Sequence, residues 1–249
     1  MIATPVSAHP SISTNSPAQY SFKVVRTYPH NPELFTEGLV YENGYFYEST
    51  GLRGKSKLLK IVASTGKVEL EKKLPPQYFG EGMTIIGDKV YQLTYTSGLG
   101  FIYNKRTFKL TNTFHYKTEG WGLTHDGNTL IMSDGSANLC FLSSKTFKKI
   151  RCITAHSKDK IIRNLNELEW IHGKIYANIF TKRIIAIINP KNGNLIGFID
   201  LRKLQKPSSD PEAVMNGTAY NAKTHDLIVT GKYWPKLYEI YPSTPEGAK

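Results

Sequence analysis

Five short segments of this 249-residue chain set carboxyls, a carboxamide and aromatic rings beside glycines at recurring intervals. They are Phe35-Thr36-Glu37-Gly38-Leu39, Phe79-Gly80-Glu81-Gly82-Met83, Glu119-Gly120-Trp121-Gly122-Leu123, Asn166-Glu167-Leu168-Glu169 and Met215-Asn216-Gly217-Thr218-Ala219. Aligned on residues 38, 82, 122, 168 and 218, they are spaced by 44, 40, 46 and 50 residues. Glu37, Glu81, Trp121, Asn166 and Glu167 therefore hold corresponding places. Glycines at the start of a strand serve structure as readily as function. Polar groups at a crowded position cost free energy unless they are hydrogen-bonded or used. An acidic and aromatic set of this kind suits an ammonium group rather than a phosphate.

The elements that position these residues follow from what comes after each segment. A tight turn appears first: Asn43-Gly44, Gly87-Asp88, Asp126-Gly127, His172-Gly173 and Lys223-Thr224. An alternating β-branched or aromatic run follows at 45–49, 90–95, 129–133, 175–180 and 227–230, then a third at 58–62, 101–103, 139–142, 184–188 and 237–240. Asn-Gly and Asp-Gly between alternating runs favour positive φ and mark hairpins. Four of the units show a further turn and a fourth strand. Four strands every 40–50 residues is the period of a β-propeller blade. The fifth unit lacks its fourth strand, and the unclaimed run Phe22–Tyr28 supplies it. The expected architecture is all-β: a single five-bladed β-propeller over residues 21–249, its ring closed by the N-terminal strand completing the last blade. The inner strands line a channel, and the glycine-rich segments converge at one of its ends.

Composition excludes several classes. Lys and Arg outnumber Asp and Glu by 32 to 20, a net charge of +12. The basic residues are dispersed as pairs such as Lys72-Lys73, Lys105-Arg106, Lys148-Lys149 and Lys182-Arg183, so the excess describes a basic surface rather than a nucleic-acid footprint. No apolar run approaches the roughly 18 residues of a membrane helix. The seven histidines are scattered without metal-ligand spacing, and no catalytic zinc or other metal is expected.

Residues 1–20 read as a disordered leader or signal-peptide remnant: the first nineteen carry no charge and show no periodicity. Val6-Ser7-Ala8 resembles a signal-peptidase site without the apolar region that precedes one. This points to a periplasmic or secreted protein. Cys140 and Cys152 fall opposite each other if 138–142 and 148–153 form a hairpin, which is compatible with a disulfide or with two reduced thiols. A monomer is expected.

The chain resembles the glutaminyl-peptide cyclotransferases, or glutaminyl cyclases, of plants and bacteria over about residues 22–241. The resemblance rests on Phe35–Leu39, Phe79–Gly82, Gly120–Leu123, Asp134-Gly135, Leu165–Glu169, Ala177-Asn178-Ile179 and Thr230–Leu237, taken in order. It implies cyclisation of N-terminal glutamine on peptide or protein substrates to pyroglutamate, with loss of ammonia and no cofactor. Residue by residue, it implies Glu81 as the acid/base glutamate and Asn166 as an anchor for the substrate or its amide. Lys232 matches a lysine near the site, suited to a hydrogen-bonding or charge-stabilising role, and Phe35, Phe79 and Trp121 become aromatic walls. Tyr95 and Phe180 stand where the plant enzyme has tryptophans, and both continue the wall. Glu37 stands where the plant enzyme has glutamine. Either its repulsion with Glu81 raises the pKa of one of the two carboxyls, or Glu37 pairs with the substrate ammonium. Glu167 completes the candidate binding set. A non-catalytic propeller that binds peptide N-termini or glycans is the alternative. A lactonase-like hydrolase would need a calcium-type carboxylate cluster from Glu37, Glu81 and Glu169.

Overall fold

The structure, a computed structural model, describes residues 16–206 and 208–243, and every regular element among them is a β-strand. The strands run in chain order from β1 (Ala18–Pro29). A first sheet holds β2 (Thr36–Glu42), β3 (Tyr45–Thr50), β4 (Lys57–Val62) and β5 (Val68–Lys73). A second holds β6 (Gly80–Ile86), β7 (Lys89–Thr94), β8 (Leu99–Asn104) and β9 (Leu110–His115). A third holds β10 (Leu123–His125), β11 (Thr129–Ser133), β12 (Asn138–Ser143) and β13 (Lys149–Thr154). A two-stranded ribbon of β14 (His156–Ser157) and β15 (Lys160–Ile161) follows. The last sheet has eight strands, from β16 (Leu165–Ile171), β17 (Lys174–Ile179), β18 (Ile184–Ile188) and β19 (Leu195–Asp200) to β20 (Met215–Asn221), β21 (Asp226–Gly231) and β22 (Lys236–Ser243).

The eight-stranded sheet consists of two antiparallel runs, β16–β19 and β20–β22, joined by β1 between β19 and β22. β1 pairs antiparallel with β22 over Ser21–Pro29 and parallel with β19 over Ala18–Tyr20. The strand expected at Phe22–Tyr28 is thus longer, and it completes the last unit as anticipated. The expected leader, 1–20, therefore does not extend over Ala18–Tyr20. Ala18-Gln19-Tyr20 belong to β1, their lack of charge reflecting a ladder against Gly197–Ile199 rather than disorder. Residues 1–15 lie outside the described residues.

First strands pack side by side: β2 on β6 and β20, β6 on β10, β10 on β16, and β16 on β20. Glycine makes this approach possible. A Cβ on Gly82 would lie 2.4 Å from the Trp121 carbonyl oxygen, and one on Gly122 would lie 2.0 Å from that of Asn166. The repeated glycines are places where backbones of successive units touch. The apolar cores lie between neighbouring sheets. One joins Tyr47 and Leu58 to Met83, Val90 and Phe101, and another joins Ile131 and Phe141 to Leu168, Ile175 and Ala186. Each fully buried aliphatic side chain contributes about 1.5–3 kcal/mol. Fourth strands face solvent, and Lys72, Lys73 and Lys149 on β5 and β13 are exposed. The excess positive charge accordingly sits largely on outer strands and turns.

Candidate active site

Glu37, Glu81, Asn166 and Asn216 share one structural address. Each is the second residue of the first strand of its unit, on β2, β6, β16 and β20. At each address the ladder slips, between Thr36 and Gly38, Gly80 and Met83, Leu165 and Leu168, and Met215 and Thr218. A bulge leaves a residue unpaired and re-aims its side chain. Four polar side chains are thereby directed off the ladders on strands that lie side by side.

A second set comes from the residue just past the second strand of a unit: Tyr95 after β7, Phe180 after β17 and Lys232 after β21. Backbone bonds pin them. Tyr95 N–H donates to Phe79 O at 3.0 Å, Phe180 N–H to Asn164 O at 2.8 Å and Lys232 N–H to Val214 O at 2.9 Å.

The aromatic residues and their polar partners form a circuit. Phe35 meets Phe79 edge-on at 6.0 Å, Phe79 meets Tyr95 at 5.8 Å, and Trp121 meets Phe180 at 5.5 Å. Glu119 bridges the gap: it accepts the Trp121 indole N–H at 2.9 Å, and its charge and hydrogen bond, after burial, raise the Tyr95 phenol pKa. Lys232 closes the loop, its Nζ 4.2 Å from the Phe35 ring centre and 5.4 Å from that of Phe180. Two glycines make room for the rings. A Cβ on Gly51 would strike Phe79 at 2.4 Å, and one on Gly135 would strike Trp121 at 2.6 Å.

Charge inside the circuit is tightly coupled. Lys232 Nζ donates to Glu37 Oε1 at 2.7 Å, with both residues buried, and Asn216 Nδ2 donates to Glu37 Oε2 at 3.0 Å. Burial raises the Glu37 pKa to about 7 against the pull of Lys232 and Asn216. Among the described residues nothing hydrogen-bonds the Glu81 carboxyl. Burial first, then repulsion from Glu37, holds its pKa well above the ordinary range, with Lys232 opposing and Glu119 adding to the rise. Two carboxyls and one ammonium in a low-dielectric pocket balance when the carboxyls share one proton. Asn166 Oδ1 and Asn216 Oδ1 are buried acceptors with no partner among the described residues.

Glu37, Glu81, Asn166, Lys232, Phe35, Phe79, Tyr95, Trp121 and Phe180 thus contribute to one locality, whereas Glu167 is otherwise engaged. Its carboxylate accepts the Thr218 N–H at 2.8 Å and the Leu39 N–H at 3.4 Å, tying β16 to β20 and β2. Glu169, three residues beyond Asn166 and so about 10 Å along the strand, accepts the Tyr220 N–H at 3.2 Å. It does not join Glu37 and Glu81 in a carboxylate cluster. Among the described residues no three His, Cys, Asp or Glu side chains are grouped to hold a metal. Sequence reasoning missed Glu119, Asn216 and Tyr233, whose ring meets Phe35 at 5.3 Å. Asn216 was masked by the alignment, which sets Gly217 opposite Glu37 and Glu81; its equivalence appears only in the strand, where it is likewise the second residue.

The fold and site together define an all-β protein with a buried carboxyl pair and an ammonium inside an aromatic wall. The family model for glutamine cyclotransferases matches residues 1–241, and the chain belongs to that family. A glutaminyl-peptide cyclotransferase of Arabidopsis thaliana is 40% identical over 224 residues, which covers 88% of this chain and 70% of the plant protein. The crystal structure of Myxococcus xanthus glutaminyl cyclase superposes with a TM-score of 0.85 at 32% identity, over 92% of this chain and 99% of that one. The WD40 β-propeller domain of Doa1 matches with a TM-score of 0.51 at 12% identity, over 82% of this chain and 62% of that one, a likeness of fold alone.

Proposed function

We propose that this glutaminyl-peptide cyclotransferase moves its protons through Glu81, without a metal, in a pocket at one mouth of a five-bladed propeller. Four four-stranded antiparallel runs, together with β20–β22 completed by β1, support the blade count. So do first strands that contact one another in a closed cycle.

The substrate α-amine attacks the carbonyl carbon of its own side-chain γ-carboxamide. One C–N bond forms, the bond to the amide nitrogen breaks, and ammonia leaves. An α-amine has a reference pKa of about 7.7–8, so a useful neutral fraction exists near pH 8 without metal assistance. Glu81, held protonated by burial and by Glu37, gives its proton to the departing nitrogen and takes one from the attacking amine, ending as it began. The pocket holds the flexible glutamine in its cyclising conformer. The unpartnered Oδ1 of Asn166 accepts a substrate N–H, and Phe35, Phe79, Tyr95, Trp121 and Phe180 enclose the methylenes. Lys232, neutralised by Glu37, supplies positive potential toward the developing oxyanion. Glu167 serves as a brace between strands.

The single observation that carries this reading is the buried Glu81 carboxyl, unbonded beside the Glu37–Lys232 pair. Ammonia release from a Gln-Ala peptide tests it. Glu81→Gln lowers kcat by about 10²–10⁴-fold with KM nearly unchanged, whereas full activity in that variant would remove Glu81 from the role. Activity lost to a chelator and restored by zinc would overturn the metal-free reading. The chain works in an oxidising compartment, periplasmic or secreted, a reading that the Cys140–Cys152 disulfide supports.

A further inference from the structure

His172 sits on the turn after β16, Tyr220 on β20, and His225 on the turn between β20 and β21. His172 Nε2 lies 2.7 Å from the Tyr220 hydroxyl oxygen, and His225 Nδ1 lies 2.6 Å from the same oxygen. The two imidazole rings are 6.0 Å apart. A phenol carries one proton, so it donates to one imidazole and accepts from the other. Both histidines are exposed and Tyr220 is half-buried. Two borderline nitrogen donors and one oxygen donor therefore converge at a point that solvent can reach.

We infer that His172, Tyr220 and His225 form a binding site for a divalent transition-metal ion of the copper and zinc type. Imidazole suits both ions, and a divalent charge favours the phenolate form of the tyrosine, whose proton passes to solvent. Bonds of about 2.0–2.2 Å to nitrogen and oxygen put donors of a tetrahedral site about 3.3 Å apart. The present separations must open by about 0.7 Å to reach that spacing. The movable members, His172 and His225, stand on exposed turns, while Tyr220 is held by its N–H bond to Glu169. Three protein donors leave one position for water. The site is distinct from the cyclisation pocket: Asn166 and His172 lie at opposite ends of β16, about 20 Å apart along the strand. The two histidines stand 53 positions apart in sequence, which is why their spacing announces nothing.

Titration of the full chain, free of any affinity tag, with Cu²⁺ followed by visible absorption and electron paramagnetic resonance tests this inference. One equivalent is expected to bind, with a phenolate-to-copper charge-transfer band. Tyr220→Phe abolishes the band while copper still binds to the imidazoles. The His172→Ala/His225→Ala double variant binds copper at least about tenfold more weakly and releases ammonia from Gln-Ala at the parental rate. A double variant that binds copper as tightly as the parent would overturn the assignment. So would a copper-loaded parent without the band.

Discussion

Lys232 and Glu37, 195 positions apart in sequence, meet at 2.7 Å in the interior. Lys232 and Asn216 each occupy one oxygen of the Glu37 carboxylate, so its charge is already matched by an internal ammonium. In the proposed mechanism its influence runs through charge: it balances Lys232 and helps hold the Glu81 pKa up. Lys232→Met leaves an unpaired carboxylate in a buried site, a loss of about 3–5 kcal/mol where Glu37 is ionised. Urea denaturation should show the full loss at pH 8 and a smaller one at pH 5, where Glu37 holds a proton. The Glu37→Gln/Lys232→Met double variant should recover most of it.

Glu37→Gln alone should move the pH dependence of turnover. Removing the carboxylate abolishes a repulsion that raises the Glu81 pKa and leaves the Lys232 charge uncompensated, and both changes lower that pKa. If protonated Glu81 is the active form, the alkaline limb of the kcat profile shifts to lower pH. An unmoved limb in an active variant would show that the two carboxyls do not communicate.

Stability should fall as pH rises from about 5 to about 8. Burial raises Glu37 to about 7 and Glu169 to about 8 from an ordinary value of 4.5, and holds Glu81 and Glu167 well above that ordinary value too. Burial by itself lowers the His30 pKa, but Glu48 outweighs it and leaves the imidazole raised. In this window the folded chain binds more protons than the unfolded one, so each upward step in pH favours unfolding. His125, lowered by burial, opposes the trend as a single group. Thermal melts across this range should give the highest Tm at the acidic end.

The disulfide between Cys140 and Cys152 joins directly opposed residues of β12 and β13, with a Cα separation of 4.1 Å. A loop of this length constrains the unfolded chain by about 3 kcal/mol. Replacing both cysteines with serine, or reducing the parent, should lower Tm accordingly and leave ammonia release unchanged. β13 is an outer strand, remote from the bulges that aim Glu37 and Glu81.

The repeat was readable because each unit must enter its first strand in the same way, through glycines that let Gly82 and Gly122 press against their neighbours' backbones. That shared geometry also made Glu37, Glu81 and Asn166 visible as equivalents. Partnership among them was not visible. Nothing in the order of residues says that Lys232 turns toward Glu37, that Glu167 spends its carboxylate on Thr218 and Leu39, or that Glu119 bonds Trp121. These depend on bulge geometry and on which units become neighbours. The hairpin around Cys140 and Cys152 was legible from its turn, yet pairing required the register that sets the two residues face to face.

The first strand has a further consequence for assembly. Ser21 pairs with Ser243, 222 residues later, and Ala18 pairs with Gly197. Its partners, β19 and β22, lie far along the chain. β1 therefore waits for partners about 180 to 220 residues further along the chain, and contacts of such long range close slowly. The order of translation runs opposite to the order of closure. A permuted chain opened in the turn between β5 and β6, with a short linker joining residues 16 and 243, would keep every pairing while making that clasp local, and should fold faster than the parent.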